Sequence, residues 1–290
     1  MEDKVVFITG GTGGIGKQTA LTLAKMGVQV VVTGRSKASG EEAVAEIKQA
    51  SGNPKVELLL TDLARQTEVR SLAQQFQGKY ARLDVLLNNA GLAASSRQLT
   101  ENGIESNFAV NVIAPFLLTH LLMDSLKASP SARVINLMGG DIPAKLEMDN
   151  LQAERSFDGL NSYSQSKLAM MTVMYEFAQR THGSTVTINV CYPGQASTNM
   201  TRGVTPEMLP GAMRFMFPLF KLATRPDGGK SAAKASKSSV YLASSAEVEG
   251  ITGKYFNPKC KEVAWSPAAL DSETRHQLWA IVAQLAHVAP

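Results

Sequence analysis

Val5-Val6-Phe7-Ile8-Thr9-Gly10-Gly11-Thr12-Gly13-Gly14-Ile15-Gly16 sets a short apolar run directly before a glycine-rich turn, and a helical pattern follows from Lys17 to Met26. Strand, glycine turn and helix in this order let a backbone approach a pyrophosphate, which the free N–H groups and positive dipole end of the helix then hold. The glycines are spaced Gly-x-x-x-Gly-x-Gly over Gly10, Gly14 and Gly16, not in the shorter Gly-x-Gly-x-x-Gly form. On the motif alone, a tight turn that binds nothing stands beside the dinucleotide reading.

Residues 28–33, 56–60, 83–87, 133–137 and 186–192 are apolar, β-branched runs suited to buried strands. Helical patterns lie between them near 39–50, 67–77, 103–127 and 162–180, with Pro115 interrupting the long central one. This alternation predicts an α/β fold, a doubly wound parallel sheet with helices on both faces. Ligands of such sheets lie beyond the carboxyl ends of the strands, so the residues just after each strand are where chemistry is expected.

The chain of 290 residues is 44% apolar and has no Pro/Gly/Ser-rich linker or repeat, which predicts a single domain over 1–290. Its 29 Lys and Arg against 25 Asp and Glu give a net charge of only +4, and the basic residues are scattered, which argues against a nucleic-acid partner. Cys191 and Cys260 lack metal-ligand spacing and read as reduced core thiols, so no metal is expected. His120, His182, His276 and His287 lie outside every motif. The chain runs at once into its first strand and holds no apolar run long enough to span a bilayer, so a cytoplasmic protein without stable membrane insertion is expected.

After the second strand comes Thr33-Gly34-Arg35-Ser36, with Arg35 where a protein choosing NAD places an acid for the ribose hydroxyls. A guanidinium there can pair with the extra phosphate of NADP, and Lys17 adds positive charge nearby. Asp62-Leu63, after the third strand, is placed to accept from an adenine amino group or to cap a helix. Asn88-Asn89-Ala90-Gly91, after the fourth, allows backbone contact with a flat cofactor or forms a plain turn. Tyr163 and Lys167, four apart on a helical segment, share one face, where a cation favours phenolate and proton exchange near neutral pH.

Gly10, Thr12, Gly13, Gly14, Ile15 and Gly16, the Asn-Asn-Ala-Gly turn, Asn111, Tyr163 with Lys167, and Pro193-Gly194 with Thr198 occur in an order that resembles the short-chain dehydrogenase/reductase family. Met148-Asp149-Asn150-Leu151-Gln152 and the tail Gly253-Lys254-Tyr255-Phe256, with Trp265 and Trp279 beyond, resemble its retinol-dehydrogenase-like branch, which also contains protochlorophyllide reductases. The resemblance implies a seven-stranded Rossmann sheet, NADP(H) as cofactor, and hydride transfer to a hydrophobic carbonyl substrate. It implies Tyr163 as acid/base, and Lys167 holding the nicotinamide ribose and lowering the Tyr163 pKa. Asn111 would support a relay water, and Pro193, Gly194 and Thr198 would flank the nicotinamide. Gly10, Thr12, Gly13, Gly14, Ile15, Gly16, Arg35, Asp62, Leu63, Asn89, Ala90 and Gly91 fall to the rest of the cofactor.

One departure stands out. In the run Arg133-Val134-Ile135-Asn136-Leu137-Met138-Gly139-Gly140-Asp141 the family's catalytic Ser falls, by register, on Gly139. Loss of one donor to a substrate oxygen can cost about 10²–10³ in rate, and Ser162, Ser164 and Asp141 offer no certain replacement. Three readings follow: a carbonyl reductase for a self-positioning substrate, a reductase of a conjugated C=C or C=N bond, or an NADP-binding scaffold or non-redox catalyst. The apolar, methionine-rich stretch 208–220 falls, by family position, in a substrate lid over about 197–225; ordinary core, an oligomer interface and shallow membrane contact are its alternatives. Monomer and homo-oligomer both remain open.

Overall fold

The computed structural model describes the chain apart from Glu2, Gly140, Asp141, Pro210 and Pro290 and the side chains of 211–213. In chain order the elements are β1 (Val5–Ile8), α1 (Gly14–Ala24), β2 (Gln29–Gly34), α2 (Lys37–Ser51), β3 (Val56–Leu60), α3 (Gln66–Gln77), β4 (Val85–Asn88) and α4 (Ser106–Phe108). A π turn (Ala109–Ile113) leads into α5 (Ala114–Leu121), α6 (Met123–Lys127), β5 (Ala132–Leu137), α7 (Gly159–Arg180) and β6 (Val186–Cys191). Beyond lie α8 (Asn199–Arg202), α9 (Phe217–Ala223), α10 (Lys230–Ser244), β7 (Tyr255–Phe256), β8 (Glu262–Val263), α11 (Pro267–Leu270) and α12 (Ser272–Leu285).

The strands form one sheet in the order β3-β2-β1-β4-β5-β6-β7-β8. Strands β1 to β7 run parallel, as the α/β alternation predicts. The expected count of seven is corrected to eight, because the chain folds back after β7 and β8 pairs with it antiparallel. Asn257 builds that return: its Oδ1 accepts from the N–H groups of Lys259 and Lys261, at 2.9 and 3.1 Å. The order reverses between β1 and β4, which opens the ligand crevice at their carboxyl ends.

Alternating strand residues feed two cores. Phe7, Val31, Leu86 and Val134 face the side covered by α3, α5, α7 and α12, where Phe76, Phe116, Phe177 and Trp279 are buried. Val6, Ile8, Val30, Val32 and Leu87 face α1, α2 and α10 through Leu23, Ile47 and Leu242. With both faces covered, the strands read as continuous apolar runs, which is why they are visible in the sequence.

The expected long helix over 103–127 is instead broken into α4, the π turn, α5 and α6. Asn111 sits in the π turn, held by its side chain: Nδ2 donates to Leu92 O at 2.8 Å and to Ser166 Oγ at 2.9 Å, and Oδ1 accepts from Leu92 N–H. Pro115, four residues on, has no N–H to return to the Asn111 carbonyl, so a regular turn cannot form there. Among the described residues no helix is long and apolar enough to cross a membrane. Cys191 is buried as expected, whereas Cys260 is half-exposed in the β7–β8 return, and both are free thiols.

The β1 turn packs against the β4 turn at backbone contact distance. Asn89 Nδ2 donates to Thr9 O at 2.8 Å and Gly10 O at 3.2 Å, and Thr9 Oγ1 accepts from the N–H groups of Asn89 and Ala90. A Cβ on Gly16 would lie 2.4 Å from Asn89 Nδ2 and 2.5 Å from Gly10 O, whereas one on Gly13 would meet nothing within 4 Å. Gly16→Ala is therefore expected to lower stability by about 1–3 kcal/mol in urea denaturation. Gly13→Ala, an N-cap change with open space around it, is expected to cost no more than about 1 kcal/mol; a larger loss in Gly13→Ala than in Gly16→Ala would contradict this packing.

Candidate functional site

At the cofactor end, α1 begins at Gly13 with no side-chain cap and no acidic residue in its first turn. Its leading N–H groups therefore receive no side-chain acceptor from the cap or the first turn, the arrangement that an anion completes. Gly10 and Gly14 have φ of +64° and +52°. Gly14 lies against Thr198, whose Cγ2 is 3.0 Å from where a Cβ would stand, so the chain after β6 reaches the glycine turn. Thr198 itself caps α8 and shares a capping box with Thr201. Ile15 turns inward onto the core.

Gly34 ends β2 with its bare Cα against Thr12, so that a Cβ would come within 2.7 Å of Thr12 Cγ2. That contact brings exposed Arg35 beside the glycine turn. Lys17 is differently engaged: its Nζ pairs with Glu46 of α2, which offsets the charge expected to support Arg35. Lys17 and Glu46 border a cavity of about 760 Å³ between α1, α2 and the start of α10, on which Thr12, Gly13 and Gly14 also open. Tyr163, Lys167 and Gly139 are not part of its lining.

Asp62 is half-buried and accepts from Ala64 N–H at 3.0 Å, a local turn and not the cap of α3, whose N-cap is Arg65. Leu63 packs on the core. Asn89 spends its side-chain N–H groups on bracing the glycine turn, which leaves Ala90 and Gly91 as the bare backbone of the β4 turn. Pro193 is buried and Gly194, with φ of +84°, packs on Pro258.

At the chemical end, α7 carries Tyr163 and Lys167 on one face, both buried. Gly139, just past β5, lies under them: a Cβ there would be 2.2 Å from Tyr163 Oη and 3.9 Å from Lys167 Cε. Gly91 approaches from β4, its Cβ position 3.5 Å from Asn111 Oδ1 and 3.6 Å from Lys167 Nζ. Tyr163, Lys167 and Asn111 thus converge on two glycines. Lys167 Nζ donates to Leu137 O at 2.9 Å. Ser166 ties the set together, donating to Tyr163 O at 2.6 Å and accepting from Asn111.

Burial sets the protonation of the pair. It raises the Tyr163 phenol well above its ordinary value, with electrostatic support from nearby Tyr192. It pushes the Lys167 ammonium down to about 8. The expected lowering of the Tyr163 pKa by Lys167 is overridden: desolvation of the phenolate outweighs the neighbouring cation. At neutral pH the phenol holds its proton, and Lys167 holds its own until the pH rises through about 8.

At Gly139, where the sequence register expects the serine, the room for a side chain is filled by the Tyr163 hydroxyl. Ser162 Oγ accepts from Asp158 N–H at the start of α7; Asp141 lies outside the described residues. Residue patterns did not reveal Ser166, Thr9 or Tyr192. The i, i+3 spacing of Ser166 from Tyr163 was an available signal, as was the position of Tyr192 between β6 and Pro193.

A sequence profile described as short chain dehydrogenase matches residues 4–209. Human retinol dehydrogenase 14 is 36% identical over 299 residues, covering 97% of this chain and 85% of the relative. Mouse retinol dehydrogenase 13 is 37% identical over 290 residues, covering 99% and 84%. The crystal structure of an uncharacterized protein from Mycobacterium paratuberculosis superposes with a TM-score of 0.76 at 25% identity, covering 99% of this chain and 94% of the other. With glycine turn, sheet order and Tyr–Lys pair in place, these matches show that the chain belongs to the short-chain dehydrogenase/reductase family, an oxidoreductase family, in its retinol-dehydrogenase-like branch.

Proposed function

We propose that the protein is an NADPH-dependent reductase of a hydrophobic carbonyl compound, built as one domain with 197–225 as its substrate cover. The observation that carries the reading is the convergence of Tyr163, Lys167 and Asn111 on Gly139 and Gly91. The uncapped start of α1 and the glycine cradle fit a pyrophosphate, and exposed Arg35 fits a 2′-phosphate. Thr12, Gly13 and Gly14 would hold the phosphates, Asp62 and Leu63 the adenine side, and Ala90, Gly91, Pro193, Gly194 and Thr198 the nicotinamide side. Relatives named retinol dehydrogenases support a lipophilic substrate class.

NADPH, when bound, supplies the hydride that goes to the carbonyl carbon. The chain supplies the proton. Tyr163, kept neutral by burial, donates from Oη to the carbonyl oxygen as it gains electrons. Lys167 places a cation beside the phenolate this leaves, where the same low-dielectric surroundings strengthen the attraction. Asn111, fixed through Leu92 and Ser166, keeps the π turn and α7 in register. A scaffold reading draws on one specific observation, the 5% exposure of Tyr163; in the reductase reading that surface opens to substrate.

Tyr163→Phe is expected to lower kcat for lipophilic ketones and enals by about 10²–10⁴ while the NADPH Kd stays within about twofold. Equal turnover in the two proteins would remove Tyr163 as the proton donor. Gly139→Ser is expected to reduce kcat by about tenfold or more, since the new side chain displaces the Tyr163 hydroxyl; a rise would mean that the lost serine limits the enzyme. Arg35→Ala is expected to weaken NADPH by about 10- to 100-fold and leave NADH unchanged, as loss of a charge-assisted phosphate contact requires. Titration by nicotinamide fluorescence checks it, and an unchanged NADPH Kd sinks the NADP preference.

A further inference from the structure

Strands β4, β5 and β6 lie side by side, and the glycines that follow the first two, Gly91 and Gly139, meet the Tyr163–Lys167 face of α7. Neither glycine has a side chain to offer a substrate. The polar groups around them are engaged within the protein: Lys167 Nζ donates to Leu137 O, Ser166 Oγ to Tyr163 O, and Asn111 Nδ2 to Leu92 O and Ser166 Oγ. Asn89 spends its amide on the glycine turn. Among these residues, a carbonyl oxygen arriving beside Tyr163 is offered the Tyr163 hydroxyl and no second one.

The third strand supplies another. Tyr192 is the first residue beyond β6. Leu137 of β5 stands opposite Cys191 of β6, and Met138 N–H donates to Cys191 O at 2.8 Å, which sets Tyr192 level with Met138 and beside Gly139. Side chains alternate across a sheet. Leu137 and Cys191 face the core under α1, so Met138 and Tyr192 turn to the other side, where both pack in the core beneath α7. On its far side Tyr192 N–H donates to Phe256 O at 2.9 Å, so both neighbouring strands fix this residue's position. Its ring is half-exposed whereas Tyr163 is buried, and it lies close enough to raise the Tyr163 phenol further. Of the residues at 89–91, 138–139 and 192–194, directly beyond β4, β5 and β6, Tyr192 alone carries a hydroxyl.

We propose that Tyr192 donates a second hydrogen bond to the carbonyl oxygen that Tyr163 protonates, a part that glycine at position 139 cannot play. The inference rests on the reductase reading and deepens it. As the carbonyl carbon gains the hydride, the π pair of the C=O bond moves to oxygen and takes the proton from Tyr163 Oη. Tyr192 keeps its own proton and steadies the developing charge, as a positioned phenol can. The substrate oxygen then sits on the β6 side of Tyr163, not over Gly139, whose side-chain space the Tyr163 hydroxyl fills.

Tyr192→Phe removes the hydroxyl and keeps the ring. With acetophenone, benzylideneacetone and cinnamaldehyde as probes, the variant is expected to lose about 10²–10³ in kcat, while KM and the NADPH Kd stay within about threefold and the thermal midpoint is unchanged. In the non-reacting complex with NADP+, the infrared stretch of an isotope-labelled acetophenone carbonyl is expected to move to higher frequency in the variant, because a carbonyl that loses a hydrogen bond stiffens. A residue acting through packing alone would leave that band in place. Wild-type kcat in Tyr192→Phe, or an unmoved carbonyl band, overturns the proposal and leaves the reductase reading standing. Failure of wild type to reduce any of the probes, with Tyr163→Phe indistinguishable from it, removes the reductase reading and this proposal with it.

Discussion

The cofactor end of this molecule depends on one close approach, the Asn89 amide seated against the β1 turn. Its Nδ2 reaches Thr9 O and Gly10 O and lies where a side chain on Gly16 would have to be. The start of α1, by contrast, has no side-chain cap and no acid in its first turn. A glycine turn with its own side-chain cap would satisfy the N–H donors there internally and leave nothing for an anion. Glycine at position 16 is required by packing whether or not an anion binds.

The chemical end obeys a different constraint, desolvation. Tyr163 and Lys167 are both buried, and burial drives each toward its neutral form, the phenol up and the ammonium down. A neutral acid is the useful state for giving a proton to a carbonyl oxygen, and the cation gains strength from the same dry surroundings once negative charge develops. Gly139 fits this arrangement, because its missing side chain leaves the volume that the Tyr163 hydroxyl takes up.

Much of the fold was legible in the sequence, for a physical reason: strands covered on both faces must be apolar throughout, so β3 has the bounds its residues suggest, β5 and β6 differ by one residue at one end, β2 by one at each end, and β4 by two at its start and one at its end. Strand β8 was not legible because two residues, one exposed and one half-buried, carry no periodicity. The break in the central helix was half legible. Pro115 signalled it, but the anchoring of Asn111 to Leu92 and Ser166 joins positions 19 and 55 residues away. Long-range pairings hid in the same way elsewhere: Lys17 reads as a free charge until α2 brings Glu46 to it, and Asn89 reads as a turn residue until β1 lies beside it. That Gly139 follows β5 without a side chain is visible in the chain; the Tyr163 hydroxyl filling its space is a property of three dimensions.

The two ends of the proposed site present different environments. The uncapped start of α1 and exposed Arg35 lie near solvent, whereas Tyr163 and Lys167 are buried, and Met208 packs on Gly159 at the start of α7. Such a pairing of environments suits the proposed cofactor, charged at its phosphates, and a substrate that is apolar. Positive charge is unevenly spent in the same way: Lys17 is neutralised by Glu46, while Arg35 stands exposed beside the glycine turn, where a cofactor phosphate is proposed.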